Sequence, residues 1–99
     1  MKIPKSFYIF NQRIVVKWKR DLHTKHKAIG LWIPVKNEIH LQLNTKAYPL
    51  TGEQQEQTFY HELCHCMLDL LGYGELSRNE KLVDRLGNSL HQVLESSEY

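Results

Sequence analysis

Residues 51–72 read TGEQQEQTFYHELCHCMLDLLG, and this stretch decides how the second half of the chain folds. Thr51, with Gln54 three residues later, fits a capping box that begins a helix, and Gly72 fits its end. The pattern predicts one long helix, from about residue 52 to about residue 71, with a buried face. Apolar side chains recur at helical spacing on that face, at Phe59, Leu63, Cys66 and Leu70.

The same helix carries the pentapeptide His61-Glu62-Leu63-Cys64-His65. Four residues along a helix turn by about 400°, so the two imidazoles lie about 40° apart, one turn above the other. They can therefore grip a single metal ion from one side. Glu62 is rotated by about 100°, so its carboxylate misses the ion but reaches a water bound to it. The spacing predicts a zinc centre with His61 and His65 as ligands and Glu62 as general base.

A catalytic zinc ion needs a third protein ligand, and the chain after residue 65 offers several candidates. Glu80 is the best placed, because it opens a second helix that a glycine-containing turn can fold back onto the first. Asp84 follows one turn later on the same face and can hold a histidine in its metal-binding tautomer. Glu80 also fits a second capping box with Ser77, and that role is an alternative to metal binding. The other candidates are Asp69, Glu75 and His91.

The first half of the chain is typical of strands. Apolar and polar residues alternate over residues 13–19, 29–33 and 39–43, and residues 7–10 form a shorter apolar run. Short connections favour a mostly antiparallel, meander-like sheet. We therefore expect an α+β fold, in which a sheet of three to four strands precedes the HExxH helix and a C-terminal helix. A chain of 99 residues accommodates one domain, residues 1–99, and excludes a TIM barrel or a full Rossmann enzyme.

Charge and cysteine content narrow the partners and the compartment. The net charge is +2, and we interpret the basic N-terminal third as a solvated sheet face rather than a nucleic-acid surface. Cys64 and Cys66 point in different directions on a helix and cannot form a disulfide with each other, which suits a reducing cytoplasm. The chain shows neither a signal-peptide pattern nor an apolar run of membrane length. We expect a cytoplasmic protein without membrane contact.

Two segments together carry a family resemblance. His61-Glu62-x-x-His65 followed by Asn79-Glu80-x-x-x-Asp84 resembles the gluzincin metallopeptidases, whose thermolysin-type members carry both segments on successive helices. The size and order of elements are similar to the minigluzincins and to the short HExxH proteins of phages and prophages, akin to the ImmA/IrrE family. The resemblance implies a zincin-like domain of bacterial or phage origin, in the latter case working in the host cytoplasm. It also implies one Zn²⁺ on His61, His65 and Glu80, with Asp84 as the partner of His61.

The resemblance implies a zinc metallopeptidase that hydrolyses a peptide or protein substrate, with Glu62 activating the attacking water. Tyr73 lies between the two helices and is a candidate donor to the developing oxyanion, with interhelical packing as its alternative role. Gluzincins also bind the substrate backbone along an edge strand. The residues that we expect to form this edge strand are Glu38, Ile39, His40, Leu41 and Gln42.

Two other functions remain open for this sequence. One is a zinc-binding regulatory or interaction protein of the same fold, with weak or no catalysis. The other is an interaction module, including a nucleic-acid module, whose HExxH motif is accidental. Metal content and turnover distinguish them. The regulatory protein would bind zinc without turnover, and the interaction module would bind no metal.

Overall fold

Four strands and four helices follow one another in the computed structural model, which describes residues 3–99. A single 3-10 turn, Pro34–Lys36, separates the third and fourth strands. The elements in chain order are β1 (Ser6–Ile9), β2 (Gln12–Lys19), α1 (Leu22–Lys25), β3 (Gly30–Ile33), β4 (Glu38–Gln42), α2 (Gly52–Leu70), α3 (Gly74–Ser77) and α4 (Glu80–Ser96).

The four strands form one sheet in the order β1-β2-β4-β3. The β1–β2 and β3–β4 pairs are antiparallel, whereas β2 and β4 run parallel. The predicted α+β class and mostly antiparallel sheet are confirmed, but the meander order is wrong. The connection between β2 and β3 includes α1 and is long enough to place β3 two positions away from β2 in the sheet, with a gap of one strand between them. The β3–β4 turn, closed by left-handed Asn37 (φ 52°), then brings β4 back beside β2.

The position of β4 corrects one prediction about the substrate. Its five residues, Glu38–Gln42, pair with β2 on one side and, over Glu38–Leu41, with β3 on the other. The prediction that these residues form an edge strand is therefore wrong, and β3 is the edge strand on this side of the sheet. Alternating hydrophobicity reports that one face of a strand is buried, but it carries no information about lateral order.

The core lies between one face of the sheet and α2. Ile14, Val16, Ile39 and Leu41 from the sheet pack with Phe59, Tyr60 and Cys66 of α2. The predicted apolar stripe of the long helix is confirmed, because Phe59 and Cys66 are buried and Leu63 and Leu70 pack against the same cluster. None of the helices within residues 3–99 combines the length and apolarity that a membrane span requires.

The opposite face of the sheet holds a charged group around His40. Side chains alternate along β4, so Glu38 and His40 point away from α2, whereas Ile39 and Leu41 face it. The Nε2 atom of His40 lies 2.8 Å from Glu38, and the Lys17 ammonium lies 2.8 Å from the same carboxylate. Hydrogen bonds from Lys17 and His40 lower the pKa of Glu38 to about 2. His40 is therefore a partner of the Lys17–Glu38 ion pair, on the sheet face away from the HExxH helix.

Candidate metal centre

The long helix α2 begins where the sequence predicts and carries both motif histidines. The Thr51 hydroxyl accepts from the Gln54 backbone N–H, and the Gln54 side chain accepts from the Thr51 N–H, which completes the predicted capping box. The rings of His61 and His65 lie one turn apart, with centroids separated by 5.0 Å. Both rings are partly exposed, so the helix presents them at the surface while its other side faces the core.

Glu80 at the start of α4 meets both rings. Its Oε2 lies 3.2 Å from His61 Nε2, and its Oε1 lies 3.2 Å from His65 Nε2. Ligands bound about 2.0–2.2 Å from a tetrahedral zinc ion are separated from each other by about 3.3 Å. The three side chains can therefore hold one metal ion without a large rearrangement. We call this group (His61, His65 and Glu80) the His–His–Glu site.

The helix cap differs from the predicted one, and the difference leaves Glu80 available. The side chain of Asn79 accepts from the Leu82 N–H at 3.1 Å and caps α4, so a capping box between Ser77 and Glu80 is not formed. Residues 74–77 instead form the separate short helix α3. The cap Asn79 and the candidate ligand Glu80 are thus neighbouring residues, and Glu80 has no capping role that would compete with metal binding.

Ser77 is buried behind His65 and orients its ring. The Ser77 hydroxyl donates to the His65 carbonyl at 3.4 Å and lies 3.1 Å from His65 Nδ1. Because the hydroxyl proton points at the carbonyl, its oxygen accepts from the Nδ1–H. That tautomer leaves the Nε2 lone pair directed at Glu80, which is the form that a metal ion requires.

We expect Ser77→Ala to weaken metal affinity by about 10–100-fold, because the mutation removes the partner that fixes the His65 tautomer. Competition titration of zinc against a fluorescent chelator measures the effect. Ser89→Ala is the matched control, since the Ser89 hydroxyl only donates to the Arg85 carbonyl on the exposed side of α4. Equal zinc affinities in the two variants would contradict the role of Ser77.

Asp84 stands behind the other histidine. Its Oδ1 lies 3.6 Å from His61 Nδ1, close enough for charge attraction but too long for a hydrogen bond. The structure thus brings Asp84 to the histidine that the family resemblance implies as its partner, on the side of the ring away from Glu80. Negative charge there favours an Nδ1–H tautomer and a free Nε2.

The close approach of α4 to α2 at this point depends on Gly87. A Cβ atom at position 87 would lie 3.1 Å from both the backbone nitrogen and the Cα of His61. The helices cross where no side chain separates them, and Glu80 and Asp84 lie on the same helix, one to two turns earlier. Gly87 therefore fixes the helix spacing on which the His–His–Glu site depends.

We expect Gly87→Val to destabilise the protein by about 1–3 kcal/mol and to weaken metal binding, because the added atoms meet backbone that cannot move independently. Urea unfolding measures the first effect and zinc titration the second. Gly52→Val is the control, since a Cβ there meets no atom within 4 Å. Wild-type zinc affinity in Gly87→Val would show that the site tolerates a wider helix spacing.

Glu62 lies beside the His–His–Glu site in a buried position, with 8% of its surface exposed. Burial raises the pKa of its carboxyl to about 7, the Glu80 charge adds to this, and the His61 charge and a hydrogen bond from the Trp32 backbone oppose it. A divalent cation nearby would favour the ionised form further. A carboxylate whose pKa lies near neutrality can both accept and return a proton.

Strand β3 reaches Glu62 through a second glycine. A Cβ at position 30 would lie 2.6 Å from Thr58 Cγ2 and 2.9 Å from Glu62 Cγ. Gly30 therefore lets the free edge of the sheet approach α2 at the height of the general-base candidate. On the same strand, Trp32 donates from its indole N–H to Asp69 at 2.8 Å and fastens β3 to the far end of α2.

A surface cleft of about 510 Å³ opens next to these residues. Its polar wall includes His61, Glu62 and Asp84, and its apolar wall includes Ile29 and Leu50. Tyr73 does not line this cleft. It is 57% exposed and lines a different hollow with Glu75 and Arg78, so the structure does not bring its hydroxyl to the His–His–Glu site.

The two cysteines lie inside the motif helix and take no part in the site. Both are free and buried, with Cys64 1% and Cys66 0% exposed. Burial raises the pKa of Cys64 to about 11 and that of Cys66 to about 12. Protonated thiols are poor metal ligands, so Cys64 and Cys66 act as packing residues of the core.

Three residues of the site were not predicted from the sequence: Ser77, Gly87 and Gly30. The sequence favours a capping role for Ser77, because Glu80 follows it three positions later. Gly87 interrupts the apolar pattern of the last helix, and a glycine at such a place is a signal of close helix packing. Gly30 carried no comparable signal, because its partner on α2 is distant in sequence.

Comparison of the chain with protein-family models, with curated proteins and with solved structures finds no match. The functional argument therefore depends on the residues themselves. Two imidazoles and a carboxylate converge at distances that suit one metal ion, beside a buried carboxyl group and an open cleft.

Proposed function

We propose that this protein is a zinc-dependent metallopeptidase of the gluzincin kind, small and similar in plan to the minigluzincins and the ImmA/IrrE family. The observation that carries the proposal is the meeting of His61, His65 and Glu80 within 3.2 Å contacts, next to buried Glu62. A metal site alone needs no buried carboxyl group at its side. The combination is the one that hydrolysis by an activated water requires.

Zinc is the metal that this donor set favours. Two neutral imidazoles and one carboxylate are a ligand set of catalytic zinc sites, which keep a fourth position open. The hydrogen bond from His65 Nδ1 to Ser77 and the charge of Asp84 beside His61 both favour a proton on Nδ1, which leaves Nε2 available to a metal ion. When bound, the zinc ion polarises the scissile carbonyl and lowers the pKa of a water molecule.

The remaining chemistry belongs to the chain's own residues. The Glu62 carboxylate accepts a proton from the attacking water, and the resulting carboxylic acid gives that proton to the leaving amine. Its buried position raises the pKa of the carboxyl to near neutrality, and this lets one group perform both transfers. Asp84 and Ser77 hold the imidazoles in place throughout.

We further propose that the substrate lies along β3 rather than β4. No strand among residues 3–99 pairs with the outer edge of β3, and Gly30 brings this edge to Glu62. An extended peptide added to such an edge gains backbone hydrogen bonds, and alternate side chains enter neighbouring pockets. The cleft beside Ile29 and Leu50 would receive an apolar side chain.

We expect the zinc-loaded protein to cleave an unfolded protein or a mixed peptide library, and a chelator to abolish this cleavage. Restoring zinc should restore it, because the chelator removes only the ion. Mass spectrometry of the products measures cleavage and identifies the bonds cut. Cleavage that persists at full rate in metal-free protein would overturn the proposal.

One observation favours a second candidate function, a zinc-binding regulator with little or no turnover. Tyr73, the candidate donor to the oxyanion, lies in a hollow away from the site. Stoichiometric zinc without cleavage of any library member would support this function.

For either function we propose a reducing cytoplasm as the compartment, or the host cytoplasm for a phage protein, since Cys64 and Cys66 are both free thiols.

A further inference from the structure

A second group of metal-ligating side chains lies at the other end of the same helix pair. Glu56 is on α2, and His91 and Glu95 are on α4. His91 Nε2 lies 3.4 Å from Glu56 Oε2 and 3.9 Å from Glu95 Oε1. One donor atom from each of the three falls within 4.8 Å of the others. We call these three residues the second cluster.

The second cluster is distinct from the His–His–Glu site. Because α2 and α4 are antiparallel, the early residue Glu56 meets the late residue His91, while His61 meets Glu80. His91 follows Glu80 by eleven positions, about 16 Å along the helix. One ion cannot contact both groups, so any metal at the second cluster is a separate one.

The imidazole of His91 is held in place with one nitrogen turned toward the carboxylates. The residue is 6% exposed, and its ring stacks on Tyr60 with centroids 5.4 Å apart and an interplanar angle of 25°. The 3.4 Å separation from Glu56 is long for a hydrogen bond to nitrogen, which is usually near 2.9 Å. It matches the spacing of about 3.3 Å between two ligands of one tetrahedral ion.

A cation can reach the second cluster from outside. Glu56, His91 and Glu95 line a surface hollow of about 610 Å³. The cluster brings two carboxylates and one imidazole nitrogen together, each of which can offer one donor atom to an ion. Imidazole nitrogen with carboxylate oxygen is a donor set suited to divalent first-row metals such as zinc and manganese.

We propose that Glu56, His91 and Glu95 form a second site, which binds a divalent transition-metal cation and joins the start of α2 to the end of α4. The role that we propose is structural, because none of the described residues that line the hollow is a buried carboxyl group beside the ligands in the way that Glu62 is. This second site does not depend on the proposed peptidase function. Its ion would stabilise the packing of α2 against α4, which also brings together the residues of the His–His–Glu site.

The test is the zinc content of the full-length protein after zinc loading and dialysis, measured by elemental analysis. We expect about two ions per chain in the wild type, about one in His65→Ala, about one in His91→Ala and none in the double variant. His26→Ala, at an exposed histidine that belongs to neither metal-ligating group, is the control and should keep the wild-type content. In His65→Ala, added zinc should still raise the melting temperature, and this response should vanish in the double variant.

The outcomes separate the two sites. One ion in both wild type and His91→Ala would overturn the second site and leave the His–His–Glu site standing. One ion in wild type and His65→Ala, but none in His91→Ala, would support the second site and contradict the proposed function. Because His91 is buried, Glu95→Gln serves as a milder variant. We expect it to fold and to bind the second ion at least about 10-fold more weakly, and unchanged binding would contradict the assignment.

Discussion

Glu62→Gln is expected to lower kcat for peptide hydrolysis by about 10³-fold while zinc binding is retained. The amide has nearly the shape of the carboxyl group but cannot accept the proton of the attacking water. Glu62 is not part of the His–His–Glu site, so the ion has the same three ligands in the variant. Folding should not suffer, because the mutation replaces a buried ionisable group by a neutral one.

The measurement for Glu62→Gln is a pair of assays on one preparation, cleavage of a quenched-fluorescent peptide and zinc content. Glu75→Gln is the control, because Glu75 is an exposed residue of α3, and this variant should match the wild type in both assays. Undiminished cleavage by zinc-loaded Glu62→Gln would show that another group moves the proton. Loss of zinc together with activity would show that Glu62 supports the metal rather than the reaction.

The local elements of this fold are readable from the sequence, because their causes are local. Thr51 and Gln54 begin α2 by hydrogen bonds between neighbours, and the 3.6-residue period of Phe59, Leu63, Cys66 and Leu70 fixes its buried face. The order of strands is not local. After β2 the chain leaves a gap beside that strand, forms β3 one position further out, and returns to fill the gap with β4. The hydrophobic pattern of β4 would be the same in the interior of the sheet and at its edge, so the pattern does not predict this order.

The site shows the same division between local and long-range information. The geometry of His61, Glu62 and His65 follows from helix periodicity, and Glu80 with Asp84 follows from their spacing on the next helix. Ser77 and Gly87 act through contacts between helices, with His65 and His61 respectively. The edge strand was assigned to residues 38–42 because their alternation is regular, whereas the structure gives that position to β3.

His65→Ala carries the second large expected effect, a loss of zinc affinity of more than about 100-fold. Removing a residue that hydrogen-bonds to a metal ligand lowers metal affinity by about 10–100-fold, and removing the ligand itself lowers it further. His65 is the ring held by both Glu80 and Ser77, so its removal also leaves those two groups without their common partner. Zinc that stabilises the native wild type by mass action should give His65→Ala a correspondingly smaller rise in melting temperature.

The most direct test of the metal centre is the zinc bound per chain in wild type and in His65→Ala, after identical zinc loading and dialysis. His26→Ala is the control for the loss of a histidine, because His26 is exposed and belongs to neither metal-ligating group. The wild type and His26→Ala should each retain one more zinc ion per chain than His65→Ala. Equal zinc content in all three would contradict the assignment of His61, His65 and Glu80 as a metal centre.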